Sequence, residues 1–321
     1  MKTLVHRPTW PLGPPTAWPC RAMRFVSILV GAAIAAFGPA SGVGAAPLTF
    51  NTALPVGQDE FVFREQFILD QSSDDANAAD RDRTAWAFVS TLGYGITRDL
   101  ALFGVLPYAD KTLDITVEGE RRTRSASGIG DLAVFGRYTV FRRDWPGRTF
   151  RVAPFAGVEA PTGDDDEGDA FGRLPPSVLP GSGSWDPFGG VVATYQTLDY
   201  EIDAQASYRA NTEANDVDIG DVARLDGSVQ VRLWPRQLGD GVPGFLYGVL
   251  EANLIHRGQN EISGAANPNS GGTSLFVVPG LQYVTKRWII EAGVQLPAFQ
   301  DLNGSALEND YIFRAGFRVN F

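Results

Sequence analysis

From about residue 59 to its end the chain alternates apolar and polar residues. "YEIDAQASYR" (200–209) sets Tyr200, Ile202, Ala204, Ala206 and Tyr208 on one face and Glu201, Asp203, Gln205, Ser207 and Arg209 on the other. "ARLDGSVQVRLW" (223–234) opposes Ala223, Leu225, Val229, Val231 and Leu233 to Arg224, Asp226, Ser228, Gln230 and Arg232. "WIIEAGVQLP" (288–297) and the closing "YIFRAGFRVNF" (311–321) do the same. A period of two is that of a β-strand with two unlike faces. Twelve such segments follow one another, near 59–69, 84–97, 100–109, 129–140, 149–161, 185–197, 199–210, 222–234, 245–257, 273–285, 287–297 and 310–321. The third, fifth and sixth are the least clean, because apolar residues fall on both faces. No convincing helix longer than two turns and no fixed-period repeat interrupts them.

The connections alternate as well. Short ones fall at 97–100, 198 and 285–287, and middling ones at 141–148 and 235–244. Long polar stretches fall at 70–83, 110–128, 162–184, 211–221, 258–272 and 298–309. Short turns at one end and long loops at the other are the plan of a transmembrane antiparallel up-and-down β-barrel of the outer-membrane type. Strands of this length suit a bilayer crossed at a tilt, and closure satisfies every backbone N–H and C=O, as lipid demands. In this reading the apolar face meets lipid, the charged face meets the lumen, and an even strand count puts both termini on the periplasmic side. Aromatics cluster near the segment ends in two belts: Tyr195, Tyr200, Tyr283 and Trp288 at the short turns, and Trp86, Tyr108, Trp185, Tyr208 and Tyr311 at the long loops. A secreted β-sandwich would need a polar outer face and a core able to hide many arginines, which are seldom buried unpaired.

The start of the chain fits export. Met23 and Arg24 precede an apolar run from Phe25 to Phe37, and Gly44-Ala45-Ala46 fits a small-x-small cleavage site, giving a signal peptide over 23–46. The run is shorter than the roughly 20 residues of a spanning helix. Residues 1–22 read as a non-structural N-terminal extension, 47–321 as the barrel, and 47–58 as too short for a large plug domain. The single cysteine, Cys20, lies in the extension, so the mature chain carries no disulfide or thiolate metal site. The net charge of −10 disfavours nucleic acid, whose phosphates need a basic surface.

Most chemical motifs dissolve. Gly128-x-Gly130 lacks the third glycine and the βαβ setting of a dinucleotide loop, and its neighbour Asp131 reads as lumen-facing. His256, the only histidine after the leader, falls with Leu250, Ala252 and Leu254 on the lipid face, so no catalytic residue and no cofactor is expected. "DDDEGDAFG" (164–172) offers Asp164, Asp166 and Asp169 as weak Ca²⁺ ligands, but the spacing misses a calcium loop and a solvated acidic loop is the plainer reading. By parity the lumen holds Arg64, Arg137, Arg151, Arg209, Arg224, Arg232, Arg314 and Arg318. Against them stand Asp131, Glu159, Asp186, Glu201, Asp203, Asp226, Glu251 and Glu291. So even a balance predicts ion-pair ladders, with Glu201 and Asp203 on one strand facing Arg224 and Arg232 on the next in a register left open by 211–221.

Three stretches carry a family resemblance: "GIGDLAVFGRY" (128–138), "PFAGVEAPTGD" (154–164) and "GSGSWDPFGGVVATY" (181–195). With "FGVLPYAD" (103–110) and "WIIEAGVQLP", they resemble the outer-membrane family named for the putative meta-pathway of phenol degradation. The resemblance runs from about residue 50 to the end and implies a transporter-like outer-membrane barrel. The expected function is therefore a channel for small solutes, hydrophobic or aromatic compounds among them. A closed barrel acting through its extracellular loops is the alternative. The expected partners are outer-membrane lipid and lipopolysaccharide, together with the barrel-assembly machinery. The C-terminal strand ending in Phe321 resembles the signal that machinery reads.

Overall fold

The structure is a computed structural model that describes residues 44–321 except 74, 76, 78 and 239–243. The N-terminal extension and the leader as far as residue 43 lie outside the described residues. Strands occupy twelve positions: β1 (Phe61–Ser72), β2 (Asp82–Gly95), β3 (Leu100–Val117), β4 in three pieces (Glu120–Ile129, Leu132–Tyr138, Phe141–Trp145), β5 (Arg148–Ala160) and β6 (Asp186–Thr197). There follow β7 (Tyr200–Arg209), β8 (Val222–Trp234), β9 (Phe245–Arg257), β10 (Gly272–Val284), β11 (Trp288–Leu302) and β12 (Tyr311–Asn320). Each pairs antiparallel with the next, and β12 pairs with β1, from Val62 opposite Asn320 to Gln71 opposite Tyr311. The sheet is a closed barrel of twelve positions.

Its two faces are inverted relative to a soluble protein. Leu225, Leu250 and Ile290 are more than half exposed on the outside, while Gln230, Asn253 and Gln282 are wholly buried within. This is what lipid outside and a polar interior require. Aromatic pairs mark both rims: Tyr195–Tyr200 (5.9 Å between ring centroids) and Tyr283–Trp288 (5.7 Å) beside short turns, and Trp86–Tyr108 (6.0 Å) near the long loops.

The long polar stretch at 110–128 is not a loop. β3 and the first piece of β4 continue as a hairpin from Tyr108 opposite Ile129 to Val117 opposite Glu120. Glu118 and Gly119 turn it, with φ of 54° and 81°, the left-handed pair that joins twisted strands without splaying them. β11 likewise runs on to Leu302. Beyond the apolar band both faces are polar, so alternation no longer betrays a strand.

The seam between first and last strands is fastened at both ends. At the short-turn end Phe61 N–H donates to the Phe321 carbonyl (2.7 Å), Phe321 N–H donates back to Phe61 (3.0 Å), and the rings stack at 5.7 Å. At the other end Ser73 donates to Asp310 (2.7 Å), and Arg81 grips Asp75 through Nε (2.6 Å) and Nη2 (2.7 Å) while also reaching the Ser305 carbonyl. Those bonds from Arg81 hold the Asp75 carboxyl down to about 2. The tie is therefore complete above the ordinary carboxylate range and is lost as pH falls toward 2.

Deleting Phe321 removes two backbone bonds and a stacked pair. We expect a loss of about 2 kcal/mol, read as a lower urea midpoint of the refolded barrel. An unchanged midpoint would show that the last residue does not fasten the seam.

A peptide strap across the lumen

The residues just before β1 do not run along the rim. They enter the barrel from the short-turn end and return to it. One foot is Gly57, whose carbonyl lies where a side chain at Gly95 would be, with Asp59 N–H bonded to the Gly95 carbonyl (2.8 Å). The other foot is Ala45, buried with Tyr247, Val284 and Ile289. Between them Thr49 and Asn51 reach the level of Glu251 and Gln205, which lie midway along β9 and β7.

The lumen supplies the bonds that this strap cannot make with itself. Glu251 accepts from Leu48 N–H (2.5 Å), Thr49 N–H (3.2 Å) and the Thr49 hydroxyl (2.5 Å). Arg64 Nη2 and Gln66 Nε2 each donate to the Leu48 carbonyl at 2.8 Å. Thr194 Oγ1 accepts from Ala53 N–H (2.8 Å), and Arg137 donates to the Thr52 and Leu54 carbonyls, both at 2.6 Å. Gln282 bonds both peptide groups of Ala46, at 3.3 and 2.5 Å.

Apolar contacts seat the same segment. Ala53 and Val56 pack against Ala101, Phe103, Phe135, Ala153, Phe155 and Val192, an apolar wall on the inner faces of β3 to β6. Leu48 fits where Gly280 and Gly293 oppose each other across β10 and β11, and a Cβ at either would come within 2.5 or 2.8 Å of its methyl. The sequence reading found the polar half of this lumen and missed the apolar half. Its signal was there, in the segments whose two faces were both apolar.

The charged positions fall largely inside, but the expected ladder between β7 and β8 does not form. Glu201 stands opposite Gln230 and Asp203 opposite Ser228. Glu201 instead accepts the Gln196 amide (2.5 Å), and Asp203 accepts Thr194 and Gln230. Arg224 pairs with Asp226 on its own strand (2.9 Å), and Arg232 with Asp199 in the β6–β7 turn. Asp226 also takes the Asn253 amide (2.9 Å). Glu159 meets Arg209 (3.1 Å), Glu291 meets Arg64 (2.5 Å), and Arg314 donates to Gln295 (2.7 Å). Asp131 and Asp186 anchor loops: Asp131 accepts Gly163 N–H (2.9 Å) and Ser182 N–H (2.6 Å), and Asp186 accepts Thr212 N–H (2.9 Å).

The loop that follows β5 folds over the hairpin, burying Leu174, Val178 and Leu179 against Leu113 and Ala126. In its acidic run Arg124 grips both oxygens of Asp169 at 2.9 Å, and Asp166 is exposed. The weak ligand set of Asp164, Asp166 and Asp169 is not assembled, and no metal-ligating group of three occurs among the described residues. His256 lies exposed on the barrel exterior with its Nδ1 at 2.9 Å from Thr273 Oγ1.

Fold and lumen together define a transmembrane antiparallel β-barrel of the outer-membrane type, with polar residues inside and an internal peptide strap. The chain belongs to the family described as the putative MetA-pathway of phenol degradation, whose profile matches residues 65–299. No curated protein matches it. Among solved structures it is similar to the COG4313 outer membrane channel from Pseudomonas putida F1, at 11% identity and TM-score 0.65, with 87% of this chain and 100% of that one covered. It also resembles the β domain of the Bordetella autotransporter BrkA, at 13% identity and TM-score 0.47, covering 82% and 100%. A third similar structure is the CymD monoaromatic hydrocarbon channel, at 10% identity and TM-score 0.40, covering 89% and 95%.

Glu251 is the strap's main hold at mid-barrel. Glu251→Ala removes three bonds to a buried carboxylate, which we expect to cost about 3 kcal/mol of strap closure, roughly a hundredfold in the opening equilibrium. Amide hydrogen exchange at Leu48 and Thr49 should accelerate accordingly while amides of the β10–β11 pair stay protected. Equal protection in parent and variant would remove Glu251 from this role.

Proposed function

We propose that this protein is an outer-membrane channel for small solutes, closed at rest by residues 44–57, with both termini in the periplasm. One observation carries the reading: a cavity lies on each side of the strap. Each measures about 370 Å³, and Asn51 at the crest of the strap lines both. One is walled by Phe103, Val105 and Phe135 toward the short-turn end, the other by Phe155, Phe188 and Ile255 toward the long loops. Twelve strands lie between the side-chain-filled eight-stranded barrel and the open sixteen-stranded one, so a single peptide suffices to shut the path.

The apolar wall and the family's link to phenol degradation support hydrophobic or aromatic compounds as passengers. Short turns, the first described residues and the C-terminus at one rim support a periplasmic assignment of that rim, and leave the long acidic loop facing lipopolysaccharide. Release of the leader after Ala46 would forfeit the Gln282 bonds and the foot at Ala45. It would keep the bonds of Glu251, Thr194 and Arg137, so residues 47–57 stay held at mid-barrel and at Gly57. A terminal phenylalanine on the seam supports recognition by the assembly machinery. His256, outside the lumen and bonded to Thr273, supports a carrier of solutes over an enzyme.

The alternative is a permanently closed barrel acting through its loops, favoured by how fully the strap is bonded. Conductance separates the two. A refolded barrel lacking residues 44–57 should conduct several-fold more in planar bilayers than the parent. If both are silent while running as folded, heat-modifiable protein, the channel reading is wrong. For orientation, cysteine at Asp166 should label from outside intact cells with a membrane-impermeant reagent and cysteine at Asp144 should not; the reverse pattern would invert the barrel.

A further inference from the structure

The cavity at the short-turn end has an unbalanced charge. Arg64, Arg137, Arg151 and Arg318 all line it, and no carboxylate does. Two of the four have acidic partners: Arg64 holds Glu291 through Nε (2.9 Å) and Nη2 (2.5 Å), and Arg151 reaches Asp144 at 3.6 Å. Arg137 spends its donors on strap carbonyls. Arg318 makes neither an ion pair nor a hydrogen bond among the described residues, although it stands directly opposite Arg64 on the closing strand pair. Like charges placed directly opposite on a sheet repel. Glu291 is already held by Arg64, and Glu201 and Asp203 act on Arg318 only from beyond ion-pair distance, so its donors stay free for a ligand. Asn320, on the same strand and lining the same space, has an amide oxygen without a partner.

The facing wall is of another kind. Phe103 and Phe135 stack with centroids 4.8 Å apart and planes 11° from parallel, flanked by Val62 and Val105. Arg137 lies over the Phe103 ring at 4.8 Å. A guanidinium fork presents parallel donors that match a carboxylate, and an aromatic wall favours a flat apolar body.

We propose that this chamber is a binding site for a small planar organic anion, an arenecarboxylate, with its carboxylate on Arg318 and its ring against Phe103 and Phe135. The site rests on the reading of the lumen as a solute path and gives that path its preferred passenger. A neutral aromatic would fill the wall but leave Arg318 unpaired. Inorganic phosphate would pair Arg318 but leave the wall empty.

The test is calorimetric titration of the refolded full barrel with benzoate, benzyl alcohol, cyclohexanecarboxylate and inorganic phosphate. Benzoate is expected to bind saturably and at least tenfold more tightly than any of the other three. Arg318→Gln should weaken benzoate at least tenfold and leave benzyl alcohol unchanged, and Arg318→Lys, which keeps the charge but not the fork, should fall between. Heat-modifiability confirms that each variant is folded. Benzoate no tighter than benzyl alcohol, phosphate as tight as benzoate, or indifference of benzoate to Arg318→Gln would each overturn the assignment. Conductance of the strap-deleted barrel reads the channel function separately. Conductance without benzoate binding removes the anion site and leaves the channel. Benzoate binding in a barrel that never conducts supports the site and removes the channel.

Discussion

Every buried peptide group must find a partner, and this molecule meets that demand twice by different means. In the wall, the sheet closes on itself, so that β12 completes the ladder of β1 and no edge faces lipid. In the lumen, a single peptide has no neighbouring strand to pair with, and side chains stand in for one. Glu251 and Thr194 act as carbonyls would, while Arg64, Gln66 and Arg137 act as N–H donors. Part of the polar interior of the barrel is thus a negative of one backbone segment. Its composition follows from what it holds as much as from contact with water.

This explains the fate of the expected charge ladder. Equal numbers of acids and arginines on the inner face suggest pairing of one with the other, and at Glu291 with Arg64, Glu159 with Arg209 and Asp226 with Arg224 that happens. Elsewhere the register sets acids beside amides and hydroxyls, with Gln230 and Ser228 opposite Glu201 and Asp203. A neutral donor answers a buried acid without bringing a second charge out of water, which is the expensive part of a buried ion pair. The balance of charge in the sequence was real, but it was never a pairing table.

The barrel itself was legible in the sequence, because lipid imposes a period of two over the full depth of the membrane and the turns break it cleanly. All twelve strand positions can be read that way. What escaped were the parts where that pressure is absent. The hairpin around Glu118 and Gly119 stands in a polar setting on both faces, and looks like a loop. The strap has no periodicity at all, and its receiving surface is spread over Gly280 and Gly293, Phe103 and Phe155, and Glu251, which lie far apart in sequence. The blurred alternation of β3, β5 and β6 was the one local trace, since an apolar inner face there implies something apolar to cover. The unpaired Arg318 could not be found from composition, because it depends on the register that sets it against an arginine already taken.

The strap joins β1 through Gln58, Asp59 and Glu60. It is a tethered ligand, so its reassociation is unimolecular and insensitive to how much protein the membrane holds. A short tether corresponds to an effective concentration on the order of millimolar, and segments of this length close in roughly 10–100 ns when nothing impedes them. In the proposed channel any solute crossing the lumen would therefore compete with a peptide that is always present and quick to return. Weakly held molecules would pass only in brief openings, while a molecule that lingers beside the strap keeps it displaced. Selection in the proposed pore would lie less in the width of the wall than in how long a passenger can outstay its own gate.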